Sequence, residues 1–141
     1  NNIINLNLNC NSLTDISGVK LFKNIKYLNI GDNKLTDIFI IKNLKNLKLL
    51  NINENKIKDI SVIKYLTELE FLGLGNNEIK DISVIQYLNN LRVLNITNLE
   101  LESDQIQYIN SLKDLKTLWC FRGFKENTSL NQLNKDIKLI I

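Results

Sequence analysis

The chain repeats itself every 22 residues, and this period constrains its fold more than any other feature. Leu44, Leu47, Leu50, Ile52, Asn55, Ile57, Asp59, Ile60 and Ile63 define one unit. A forward shift of 22 lands on Leu66, Leu69, Leu72, Leu74, Asn77, Ile79, Asp81, Ile82 and Ile85. A backward shift lands on Phe22, Ile25, Leu28, Ile30, Asn33, Leu35, Asp37, Ile38 and Ile41. One more gives Ile3, Leu6, Leu8, Asn11, Leu13, Asp15, Ile16 and Val19. Each position keeps its chemical type, which chance does not produce over four units. A fifth unit opens at Leu88, Leu91, Leu94 and Ile96, then departs: Leu99 stands where Asn is expected. The next unit opens at Leu112, two residues late, so an insertion falls around residues 102–105. The sixth runs Leu112, Leu115, Leu118 and Cys120 and loses the pattern through Phe121–Phe124. The tail Leu130, Leu133, Ile137 and Leu139 reads as a degenerate last repeat, with a capping helix as the alternative.

A unit this short cannot bury its apolar side alone, whereas stacked units share a continuous core. The x-L-x-L-x stretch alternates with the period of a strand and points its Leu and Ile side chains inward. Successive strands then align in parallel about 4.8 Å apart. The expected fold class is α/β: a solenoid coiled as a curved right-handed superhelix. A parallel sheet lines its concave face, and short 3-10 or α segments cover the convex face. Residues 1–141 form one domain on this reading, with units near 1–21, 22–43, 44–65, 66–87, 88–111 and an irregular end at 112–141.

Over about residues 3–120 the pattern L-x-x-L-x-x-L-x-L-x-x-N-x-I-x-D-I resembles the leucine-rich repeat family. The unit length and segments such as Leu13-Thr14-Asp15-Ile16-Ser17 are most similar to the internalin type, without the Pro such repeats usually carry after that step. The same length also occurs in a family of intracellular phosphatase-1 regulators. The resemblance implies a module that binds another protein through its concave face, at the cell surface or secreted. The alternative is an intracellular regulatory scaffold.

Two polar columns recur with the period. An inward Asn11, Asn33, Asn55 and Asn77 supplies partners for turn backbone of its own and neighbouring units; the competing reading is a polar ligand ladder. Asp15, Asp37, Asp59 and Asp81 sit where an acidic N-cap suits the convex segment. One carboxylate every 4.8 Å or so does not wrap a Ca²⁺ ion, and no metal is expected. Cys10 and Cys120 lie five units apart, roughly 24 Å at that spacing, too far for a disulfide.

Composition narrows the function classes further. With no His, the chain lacks the commonest general base and the usual triad and zinc arrangements. It has no phosphate-binding glycine motif, since Gly73 and Gly75 lie inside a repeat strand. No enzyme activity and no cofactor are expected. A formal charge of +3 is too small to predict nucleic-acid binding, and no apolar run reaches the roughly 18 residues of a membrane span. The 24 Asn, 21 Ile and 16 Lys share A/T-rich codons, so much of that bias reports an AT-rich genome. The chain begins Asn1-Asn2 with no Met, as a processed or excised segment does, and targeting is not readable from it.

A partner site is read from the strand residues that point outward. They form three columns: Asn5, Tyr27, Leu49, Phe71, Val93, Thr117; Asn7, Asn29, Asn51, Gly73, Asn95, Trp119; and Asn9, Gly31, Asn53, Gly75, Thr97, Phe121. Tyr27, Leu49, Phe71 and Val93 make an apolar stripe about 15 Å long, which Trp119 and Phe121 extend. Exposed apolar patches with polar rims mark interaction sites, and aromatic residues dominate hot spots. The competing reading is that a flanking segment, or the Phe121–Phe124 turn, folds over the stripe. Gly73 and Gly75 are expected to leave a shallow floor beside Phe71. The lysine columns, Lys20, Lys42 and Lys64 on the convex side and Lys26 and Lys48 on the strand approach, are read as a solvated face, with an acidic partner as the alternative.

Overall fold

Along each unit the chain runs out a three-residue strand, turns, makes one short 3-10 segment and returns one strand further on. A computed structural model describes residues 2–141, with the backbone alone at 127–129. Its strands are β1 (Asn5–Asn7), β2 (Tyr27–Asn29), β3 (Leu49–Asn51), β4 (Phe71–Gly73), β5 (Val93–Asn95), β6 (Thr117–Trp119) and β7 (Lys138–Ile140). They form one parallel sheet in sequence order, with Leu6, Leu28, Leu50, Leu72, Leu94, Leu118 and Leu139 aligned as one inward row. The 3-10 segments Ser17–Leu21, Phe39–Asn43, Ser61–Tyr65 and Ser83–Tyr87 stack on one another on the opposite side. Between the two layers lies one apolar core, in which Leu28, Leu50, Leu72 and Leu94 have no exposed surface. At the two ends the packing thins: Leu6, Leu8 and Leu13 in the first unit, and Leu139 in the last, are only partly buried.

The tail carries a 3-10 segment, Asn127–Gln132, and then β7 on β6, so it folds as a repeat and not as a capping helix. The two extra residues of the fifth unit go into a 3-10 turn, Ser103–Gln105, running into α1 (Ile106–Asn110). No helix among the described residues is long and apolar enough to cross a membrane.

The recurring asparagines close the turns. Asn55 donates its Nδ2 to the carbonyls of Ile30, Ile52 and Asn53 at 3.0–3.2 Å, and its Oδ1 accepts the Leu35 N–H at 2.9 Å. Asn33 and Asn77 repeat the pattern one unit either side, accepting from Leu13 and Ile57. Asn11, in the first unit, reaches only the Leu8 and Asn9 carbonyls. Where Leu99 takes the place, the row ends, and that residue is buried as part of the core. Just before each of these asparagines the backbone enters the left-handed region, at Cys10, Asp32, Glu54 and Asn76, and it does so again at Asn98 before Leu99 and at Arg122 (φ 48–58°). None of these is glycine, and each Cβ there is accepted at a local cost of about 1 kcal/mol or more. A turn so conserved along the array is held by what surrounds it.

The aspartates act one residue earlier than an N-cap. Asp15, Asp37, Asp59 and Asp81 accept the N–H two residues on, the first of each 3-10 segment, at 2.6–2.8 Å. The formal cap positions are Ile16, Ile38, Ile60 and Ile82, all buried. Because the core claims that position for Ile, the capping bond moves upstream and takes the form of an Asx turn.

Shortening a central inward residue tests the stacking. Leu50→Ala should lower unfolding stability by about 2–5 kcal/mol through lost burial and a cavity, read from denaturant melts. A loss below about 1 kcal/mol would mean that Leu50 is not the fully enclosed residue this packing requires.

Candidate functional site

The sheet face is built by residues the alternation leaves outward, and the register places them in rows. Asn5, Tyr27, Leu49, Phe71, Val93, Thr117 and Lys138 pair in succession across the seven strands. Tyr27 is exposed, while Leu49, Phe71 and Val93 are half-buried against their row neighbours. Trp119 and Phe121 are both exposed but lie in the next two rows, level with Asn95 and Thr97. The stripe therefore continues diagonally and not in line. The Phe121–Phe124 turn does not bury it: Phe124 drops into the core, and Leu101 pairs with that residue in a short bridge.

The second row is committed to its own backbone. Asn7, Asn29, Asn51 and Asn95 each accept, through Oδ1, the N–H two residues further on, at 2.9–3.1 Å. Gly73 has no side chain to do this for Gly75, and Asn53 from the preceding strand supplies the acceptor at 2.7 Å. This corrects the expectation of an open glycine floor. A Cβ on Gly73 would stand 2.8 Å from Asn51 Oδ1 and 3.0 Å from the Asn53 amide, and one on Gly75 3.0 Å from Asn95 Oδ1. Both glycines are buried under neighbouring amides, so their missing side chains make room for the asparagines and not for a ligand.

Charge frames the two long edges of this face. Before the strands run Lys26, Lys48, Glu70, Arg92 and Lys116, with Lys48 and Glu70 paired at 2.8 Å. Their hydrogen bond holds the Glu70 carboxyl below and the Lys48 ammonium above their ordinary ranges. After the strands, in the left-handed turns, come Cys10, Asp32, Glu54, Asn76, Asn98 and Arg122. The Cys10 thiol is exposed and pushed up, first by a hydrogen bond with Asp32, then by desolvation and the charges of Asp32 and Glu54. Cys120 is buried, which raises its thiol as well. Neither forms a disulfide, and five repeats of strand register lie between them.

Among the described residues no group of three His, Cys, Asp or Glu side chains is placed to hold a metal ion. The aspartate column is instead spent on backbone N–H groups.

Comparison with known proteins follows the same lines. A model of leucine-rich repeats (two copies) matches residues 23–65. A search of curated proteins gave no match. Among solved structures, the internalin InlF of Listeria monocytogenes superposes with a TM-score of 0.81 at 34% identity, covering 91% of this chain and 38% of that protein. Internalin C2 of the same organism gives 0.77 at 26% identity, covering 95% and 60%. A leucine-rich repeat protein of Leptospira interrogans gives 0.83 at 27%, covering 99% and 37%. The chain thus spans less than two thirds of the length of each, from 37% to 60%.

The two thiols give a direct check on this geometry. In the native state Cys10 should react with a thiol reagent slowly at neutral pH and faster as pH rises through its elevated range. Cys120 should react only on unfolding. Two equally fast native thiols, or none after denaturation without reductant, would contradict the assignment.

Proposed function

Because this chain is a leucine-rich repeat protein with units of the internalin-like type, we propose that it binds another protein on its sheet face and catalyses nothing. The observation that carries this reading is the stripe Tyr27, Leu49, Phe71 and Val93, accessible on a face otherwise made of backbone-bonded amides. Apolar side chains there gain little from their own fold, while a partner that covers them removes their area from water. The exposed Trp119 and Phe121 provide a second anchor at the C-terminal side. Locked asparagines between the two anchors form a rigid polar surround, so a partner pays little ordering entropy in the receptor.

No nucleic acid and no cofactor enter this reading. The basic edge is interrupted at Glu70, which breaks any continuous track for a phosphate backbone. The internalin-like units support a surface or secreted recognition module over an intracellular regulatory scaffold.

The test uses a protein partner retained by the wild-type chain. Phe71→Ala should weaken that complex by about 2 kcal/mol, roughly 30-fold, while lowering stability by less than about 1 kcal/mol because a half-buried residue leaves no closed cavity. Lys34→Ala, on a turn away from the stripe, should change neither. Unchanged binding with a large drop in melting temperature would assign Phe71 to the fold and overturn the reading.

A further inference from the structure

The convex face carries a second surface that the repeat pattern does not require. At the start of the 3-10 segments the units have Ser17, Phe39, Ser61 and Ser83, and at their ends Leu21, Asn43, Tyr65 and Tyr87. Ser is the residue that suits the first position: the Ser17 hydroxyl donates to the Asp15 carboxylate at 2.8 Å in addition to the backbone bond. Phe39 keeps only the backbone bond to Asp37 and presents its ring to water, 56% exposed. Tyr65 and Tyr87 are exposed too. Water penalises these rings, and the internal core does not use them.

Lysines gather on the same rings. The Lys42 Nζ stands 4.0 Å from the Phe39 ring centre, and Lys45 and Lys64 stand 4.6 and 5.1 Å from that of Tyr65. None of the three belongs to a salt bridge found among the described residues, which join Lys48 to Glu70, Lys58 to Glu78 and Lys125 to Glu102. Phe39, Lys42, Asn43, Lys45 and Tyr65 together line a cleft of about 250 Å³. No carboxylate lines this cleft; Asp37 and Asp59 line a separate depression that Phe39 also borders and are engaged with backbone N–H groups. Three ammonium groups fixed over rings, beside a cleft, make a preorganised receptor for negative charge with an adjoining apolar contact.

We propose that this cleft docks an acidic polypeptide segment, its Asp or Glu carboxylates meeting Lys42, Lys45 and Lys64 and an apolar side chain lying against Phe39 and Tyr65. Charge complementarity selects an anionic partner, and the exposed rings select one that also carries apolar side chains. The surface is distinct from the stripe on the sheet and does not depend on it.

The probe is a fluorescein-labelled, end-blocked peptide of glutamates with a central phenylalanine, titrated by anisotropy at low and high salt. Lys42→Gln/Lys45→Gln/Lys64→Gln should weaken binding at least about 10-fold. Phe39→Ser with Tyr65→Asn installs residues that other units carry at those places and leaves the charge unchanged; it should weaken binding about 5-fold or more. Lys34→Gln/Lys56→Gln/Lys135→Gln, an equal charge loss elsewhere, should change it less than about two-fold. Melts confirm that each variant folds. Full affinity in the aromatic variant would reduce the attraction to unspecific charge and overturn the proposal. So would no peptide binding, or preference for a heparin fragment or anionic vesicles through the same residues.

Discussion

At the end of every strand the chain must leave the sheet, and the carbonyls of that turn face the interior, where water does not reach. A buried carbonyl without a donor costs about 1–3 kcal/mol, and a stacked array multiplies the cost by the number of units. In the second to fourth units one asparagine each, Asn33, Asn55 and Asn77, answers it. Its amide donates to two carbonyls of its own turn and one of the preceding unit, and its oxygen accepts an N–H from that preceding unit. Each rung therefore both shapes a turn and fixes its distance from the next. Across the first four units the left-handed turns and the level alignment of the strands share that geometry, and beyond Leu99 the same turn recurs at Asn98 and Arg122 with an apolar core beneath it.

The sheet and the core were legible because side-chain period and repeat period reinforce each other. Leu28, Leu50, Leu72 and Leu94 recur at 22 and alternate at two, and only one arrangement puts all of them inside. The Asn column was legible for the same reason. What the pattern did not reveal depends on contacts between neighbouring units. Gly73 and Gly75 looked like openings in a strand, because sequence says nothing of the Asn51, Asn53 and Asn95 side chains that fill the space above them. Asp15 and its equivalents looked like N-caps, and only the burial of the following Ile moves the formal cap one position downstream.

The candidate sites follow a related logic. In a repeat array a position is free to vary where the fold makes no demand on it, so departures toward apolar residues left wholly or partly in water stand out. Tyr27 and Phe71 on the sheet face do this in a row that begins with Asn5. On the other face Phe39 does it in a row of serines, and its significance was hidden while the lysines beside it read as solvent-facing charge. Sequence spacing placed Lys42 and Lys64 on the surface; the rings that they and Lys45 sit over became visible only with the side chains in place.

The dependence of the stack on its asparagine rungs is open to one decisive measurement: native-state exchange of the Leu35 amide in an Asn55→Leu variant. Leucine occupies the matching place in the fifth unit, at Leu99, where it is buried, so the substitution keeps a branched side chain that this position of the fold accepts while removing the hydrogen bonds. Loss of the rung should lower protection of the Leu35 amide by roughly 100-fold, about 3 kcal/mol. The same change at Asn11, which bridges no preceding unit, should cost less than about 1 kcal/mol. Undiminished protection at Leu35, or equal losses at the two positions, would show that packing alone holds the turns and that the asparagine bridges are incidental.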